Sequence, residues 1–243
     1  MTKKSTKRYL RIFIFLMFLL PLGAFAQITP SAYLCGTGTV KLTPSFPNNY
    51  TPPTTGYNVV WSVNGSPETP KPYTGAADLI YNVSPSLAPG HYEYSVQLVP
   101  LDNTLCPSDA SEIIVIEKLP VPVIAITNSG GNTVCTDNTA TTILTAKQTT
   151  PATLPSGVTM TYTWAATIGG NPASIGALGT ASATGDTFTL STGVAPGTYV
   201  FTAVGSYATG SVQIVPTPSC TATTNISITV TPKPGKPTVG VAP

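Results

Sequence analysis

Histidine is nearly missing from this chain. His91 is the single one among 243 residues, and charged side chains make up only 8%. Acid–base chemistry near neutral pH leans on histidine or on paired carboxylates, and no acidic pair flanks His91 along the sequence. The four cysteines form no Cys-x-x-Cys and no Cys/His cluster, so they read as disulfide partners in preference to metal ligands and leave no free nucleophile. Asp102, Asp109 and Asp137 lie near cysteine-bearing loops, yet their spacing matches no Asp-x-Asp-x-Asp calcium loop, and they read as solvated carboxylates. Helical periodicity is absent too: after residue 26 no stretch keeps an apolar period of 3.6 over three turns. These absences predict a protein with no enzymatic activity, cofactor or metal ion, and almost no helix.

The first 26 residues are a separate object. Lys3, Lys4, Lys7, Arg8 and Arg11 precede an apolar run from Ile12 to Leu20, and Ala24-Phe25-Ala26 closes the segment. That is the pattern of a secretory signal peptide cleaved before Gln27. Its apolar core is about half the roughly 20 residues that a membrane span needs, so no span is expected after cleavage. Cys35 lies too far downstream to be the lipidated residue of a lipoprotein. Removal of the leader leaves six basic against nine acidic residues, a net charge of −3. Such a charge-poor, weakly acidic chain has no basic patch for phosphates, which disfavours nucleic-acid binding.

What remains is rich in turns, with 25 Pro and 21 Gly, and its Thr, Val, Ile and Tyr fall in short runs bounded by Pro, Gly, Asn and Ser. An all-β fold follows. The clearest strand begins at Ala88-Pro89-Gly90-His91-Tyr92, where Tyr92, Tyr94, Val96 and Leu98 share one face and Glu93, Ser95 and Gln97 the other. Pro followed by Gly ahead of it suggests a type II turn. The stretch recurs as Ala195-Pro196-Gly197-Thr198-Tyr199, with Thr198 at the place of His91.

Around both copies the same landmarks return in order. Cys35 and Val40–Thr43 match Cys135 and Thr142–Thr145; Trp61 in Tyr57–Val63 matches Trp164 in Met160–Trp164. Leu79–Val83 matches Thr187–Leu190; Cys106 matches Cys220; Ile113–Ile116 matches Ile226–Val230. A tandem repeat of β modules is predicted: residues 27–120, then 121–232. Lys118-Leu119-Pro120-Val121-Pro122, with its two prolines, makes a short semi-rigid junction, so the modules are expected end to end. Residues 233–243 read as a linker or the start of a third module, because Pro237-Thr238-Val239-Gly240-Val241 is similar to Pro122-Val123-Ile124-Ala125-Ile126. Further modules of a longer repeat protein are therefore expected.

In an exported chain the four cysteines imply disulfides. Three pairings are possible, and the repeat selects Cys35 with Cys106 and Cys135 with Cys220, one bridge per module. Closing loops of that length stabilises by about 4 kcal/mol each in the chain-entropy model.

Cysteine, tryptophan, tyrosine and cysteine in this order, twice, resemble immunoglobulin-like β-sandwiches. The match is partial, since Tyr94 and Phe201 stand where antibody-type domains carry the second cysteine, and Cys106 and Cys220 come later, in loops. This variant is similar to the immunoglobulin-like and PKD-like repeats of secreted surface proteins of Bacteroidetes-type bacteria. The resemblance implies two tandem sandwiches with Trp61 and Trp164 in their cores, at the cell surface or secreted, with a role in adhesion or as a spacer against an unknown protein or glycan ligand. The alternative it allows is a carbohydrate-binding accessory module, with loop tyrosines Tyr50, Tyr73 and Tyr207 as ligand-contact candidates. Of four Asn-x-Ser/Thr triplets, at Asn49, Asn64, Asn82 and Asn225, most are expected to go unused in a chain of bacterial composition.

Overall fold

The structure, a computed structural model, describes residues 29–46, 52–151, 153–215 and 220–240. The signal-peptide segment, Tyr50 and the Asn49 triplet lie outside them. The chain folds into two tandem β-sandwiches, each around its own core.

In the first sandwich β1 (Ala32–Cys35), β8 (Ile114–Leu119), β7 (Gly90–Pro100), β3 (Tyr57–Val63) and β4 (Ser66–Pro67) lie side by side in that order, and β5 (Lys71–Pro72) also pairs with β3. The facing layer is small: β2 (Lys41–Leu42) pairs with β6 (Tyr81–Asn82). Strand β7 forms where the alternation placed it, with Tyr94, Val96 and Leu98 buried and the residues between them partly exposed. Asn64 and Gly65 take φ of 51° and 75°, the double positive φ that a two-residue hairpin between β3 and β4 needs. Trp61 and Tyr94 stack at 5.1 and 5.4 Å on the ring of Tyr81, inside a cluster that includes Leu34, Leu42, Val59, Val83 and Ile116.

The second sandwich has β9 (Val123–Asn128), β10 (Thr133–Cys135), β11 (Ile143–Thr150), β12 (Val158–Ile168), β13 (Asn171–Ala173), β14 (Gly179–Ala181), β15 (Thr187–Leu190), β16 (Gly197–Thr209), β17 (Ile214–Val215) and β18 (Thr221–Thr231). One sheet runs β14-β15-β11-β9 and the other β10-β18-β16-β12-β13. In immunoglobulin lettering these are D-E-B-A and A′-G-F-C-C′, the order that defines that sandwich. Trp164, Phe188 and Phe201 stack at 5.8 and 5.7 Å in its core. A one-turn helix at Ile175–Leu178 is the only α-helix among the described residues.

The repeated Pro-Gly-x-Tyr signature has a physical explanation. Gly90 and Gly197 open β7 and β16 at φ of 153° and 158°, a conformation that side-chain-bearing residues rarely adopt. This corrects the type II expectation, which needs φ near +80° at glycine. Two residues on, the hydroxyls of Tyr92 and Tyr199 donate back to the carbonyls of Ala88 and Ala195, at 2.9 and 3.0 Å. Each is the tyrosine corner of an immunoglobulin-like fold.

One other expectation changes. Residues 79–83 form only a two-residue strand, because Ala76–Leu79 makes a 3-10 turn that buries Leu79. At the end of the first sandwich Val115 and Ile116 are both buried, so β8 is covered on both faces, while Ile113 is half exposed.

The cysteine pairing is the main correction. Cys35 is bonded to Cys220, across the two sandwiches, while Cys106 and Cys135 are free thiols on the surface. Strand polarity is the reason. β1 runs parallel to β8, which sets Cys35 opposite Leu119, and Gly90 pairs with Lys118 at that same end. Cys106 follows Pro100 at the opposite end of β7, ten residue steps and about 33 Å away along an extended strand. A disulfide spans only about 4.4–6.8 Å between Cα atoms, so a bridge within the sandwich is impossible. The same holds for Cys135, beside Thr231, and Cys220, whose carbonyl accepts from the Tyr207 amide at the far end of β16.

Candidate functional site: the joint between the sandwiches

The exit end of the first sandwich meets the entry end of the second. Tyr33, Cys35 and Leu119 from above pack on Val158, Tyr207 and Cys220 from below, with Leu154, Met160, Val212 and Ile214 around them. This third apolar cluster is separate from the two cores. The joint also shares backbone: β17, from the loop that precedes Cys220, adds to β1 in parallel, Tyr33 facing Ile214 and Leu34 facing Val215. The sheet of the first sandwich thus carries one strand from the second.

Polar contacts hold the same ends. The Tyr207 hydroxyl donates to the carbonyl of Pro120 in the junction at 3.0 Å, and that of Tyr33 to Ser156 at 3.4 Å. Burial pushes the Tyr207 phenol up to about 12 and raises that of Tyr33 as well, the latter with help from nearby Glu117. Lys118 is 4% exposed, and its ammonium donates to the carbonyls of Gly36 at 2.5 Å and Pro85 at 3.2 Å. Desolvation lowers its pKa. Gly36 follows Cys35 directly, so this buried cation fixes the turn that presents the sulfur.

A cleft of 180 Å³ opens on the joint, lined by Tyr33, His91, Glu93, Glu117, Pro155 and Ser156. The expectation that no acidic pair flanks His91 is corrected here. Pairing of β7 with β8 sets His91 opposite Glu117, and the ring nitrogens lie 3.2 Å from Glu117 and 3.4 Å from Glu93. His91 and Glu93 are partly open to solvent and Glu117 is mostly buried, with no cysteine lining the cleft.

The remaining candidates do not come together. Tyr73 and Tyr207 are 3% and 6% exposed, one in the first core and one in the joint, so neither ring is open for stacking on a sugar. The expectation that they sit in surface loops is corrected: Tyr73 folds over the core with its amide bonded to the Tyr57 carbonyl, and Tyr207 lies inside β16. Asp102 accepts from Thr104 in a local turn, and Asp137 pairs with Lys233 at 2.5 Å at the other end of the molecule. These bonds hold both carboxyls below the usual range. Among the described residues no three His, Cys, Asp or Glu side chains are grouped to hold a metal, and no helix is long and apolar enough to cross a membrane.

No family model and no curated protein matches the chain. Solved structures similar to it include immunoglobulin domains 1–4 of Sidekick-1, at 11% identity and TM-score 0.39, matched over 84% of this chain and 48% of that one. The I67–I69 fragment of titin matches at 11% identity and TM-score 0.36, over 85% and 63%. Three N-terminal domains of the bacteriophage RB49 outer capsid protein Hoc match at 14% and 0.35, over 82% and 56%. The chain spans about half the length of the first of these. At such scores the immunoglobulin-like assignment rests on the strand order of this chain itself.

Proposed function

We propose that this chain is an exported, non-catalytic tandem immunoglobulin-like protein that acts in cell-surface adhesion or as a structural spacer. One observation carries the reading: the two sandwiches are locked end to end by the Cys35–Cys220 bond, a shared sheet and an apolar cluster. A bond that spans successive sandwiches suits an oxidising, extracytoplasmic compartment and a part whose task is to hold a fixed length. The composition, poor in histidine and charge, fits the same role. The carbohydrate-binding alternative loses two of its three proposed rings to burial.

Two measurements test it. Small-angle scattering of the exported chain is expected to give an elongated particle of one fixed length, and protease shaving of intact producing cells is expected to remove it. A particle of variable length, or a chain protected inside the cell, would overturn the reading. Binding to insoluble polysaccharides that survives reduction would turn it toward the accessory module.

A further inference from the structure

The formed bond and the two free thiols occupy equivalent places. Cys35 sits opposite Leu119 and Cys135 opposite Thr231, each as the last residue of a strand that runs parallel to the final strand of its sandwich. Cys106 sits in the connection from β7 to β8 and Cys220 in that from β16 to β18, Cys220 beside Tyr207 and Cys106 past Pro100, the residue that matches Tyr207. So each sandwich carries one cysteine at its exit end and one at its entry end, and the joint uses the exit of the first with the entry of the second. Cys106 is left at the entry end of the first sandwich and Cys135 at the exit end of the second, both exposed.

We propose that copies of this chain link head to tail, with Cys135 of one copy bonded to Cys106 of the next, which repeats the internal joint between molecules. The interface is heterologous and extends into a chain. Two further features agree. Leu101 and Leu105, in the same loop as Cys106, are 63 and 53% exposed, apolar surface in the loop whose counterpart in the second sandwich uses Val212 and Ile214 to grip the first. The outer edge of β10 is unpaired among the described residues, whereas the matching edge of β1 is paired with β17.

The external joint is weaker in two respects. Thr133 and Thr231 stand where Tyr33 and Leu119 supply apolar surface, and the loop ahead of Cys106 has five residues against ten ahead of Cys220, too few for a copy of β17. The covalent bond therefore carries the assembly, and the reduced protein is monomeric.

The oxidant is a disulfide donor, an oxidised dithiol carrier or glutathione disulfide. The Cys106 thiolate attacks it, one donor sulfur leaves as a thiol, and a mixed disulfide remains. The Cys135 thiolate of the next copy then attacks the Cys106 sulfur and expels the second donor sulfur. Two protein thiols lose two electrons and two protons, and the donor gains both pairs.

The test uses the full exported chain after brief mild reduction, which spares the buried Cys35–Cys220 bond, followed by oxidised glutathione and non-reducing electrophoresis. The expected result is a reducible ladder. Cys106→Ser and Cys135→Ser, both at exposed positions, should each stay monomeric alone, and their equal mixture should stop at a dimer whose peptide map joins Cys106 to Cys135. Wild-type protein that stays monomeric, a symmetric dimer in either variant, or a Cys106–Cys135 bond within one chain would overturn the proposal. The bond map of the wild-type ladder decides the case if a variant misfolds. Rod stiffness, on which the spacer role rests, is measured separately and survives any of these outcomes.

Discussion

Replacing Cys35 by alanine tests the joint most directly. The Cys35–Cys220 bond closes a loop of 185 residues, which holds nearly both sandwiches. In the chain-entropy model a loop of that size restricts the unfolded chain by about 5 kcal/mol. For a protein of this length 1 kcal/mol moves the thermal midpoint by about 2–4 °C, so the loss is expected to be about 10–20 °C. The assay is calorimetry of the oxidised exported chain with Cys35→Ala, Cys220→Ala, the double variant, and Cys106→Ala. The two single variants at the joint should fall equally, and the double should fall no further, because either one already removes the whole bond. Cys106→Ala should melt like the wild type. A Cys106→Ala midpoint as low as that of Cys35→Ala, or a double variant that adds the two single losses, would refute the inter-sandwich bond and restore one bridge per module.

Three further outcomes follow from single contacts. Tyr199→Phe removes the hydroxyl that donates to the Ala195 carbonyl and is expected to cost about 1 kcal/mol in denaturant titration, with Tyr92→Phe in the same range. Phe201 is fully buried between Phe188 and Tyr199, so Phe201→Ala should cost about 3–5 kcal/mol and unfold the second sandwich first. Tyr207 titrates near 12 in the folded protein against an ordinary 10, so the folded state holds its proton longer than the unfolded chain does. Its contribution to stability is then complete below pH 10 and is lost as pH rises from 10 through 12; Tyr207→Phe should flatten that part of the alkaline stability profile.

Much of this architecture was legible because it depends on local pattern. The alternation of Tyr94, Val96 and Leu98 fixes which face of β7 is buried, Asn64-Gly65 fixes a hairpin, and the recurrence of Pro-Gly-x-Tyr marks two copies of one fold. Trp61 enters the core as its place in the alternation suggested, 5% exposed, and Trp164 packs against the second core with its indole N–H donating to Gly185 at 2.6 Å. Tyr73 and Tyr207 were misplaced because turn-rich flanks say nothing about which neighbour folds over a ring. The acidic pair beside His91 was missed because only Glu93 lies near it in the sequence, whereas Glu117 reaches it through strand register, 26 residues away.

The cysteine pairing was illegible for a more instructive reason. Repetition shows that Cys35 matches Cys135 and Cys106 matches Cys220, but it is silent on whether a bond closes within a copy or between copies. Strand direction decides, and only the fold supplies it. Once β1 is known to run parallel to β8, its cysteine must lie at the exit end; once β7 is known to run antiparallel to both, the loop that follows it must lie at the entry end. One sandwich is too long for the two sulfurs to meet across it, whereas two sandwiches stacked end to end bring an exit and an entry sulfur together with Cα atoms 5.5 Å apart. Within two such sandwiches only one exit sulfur and one entry sulfur can meet. The same polarity that joins Cys35 to Cys220 leaves Cys106, the entry sulfur of the first sandwich, and Cys135, the exit sulfur of the second, unpaired and exposed.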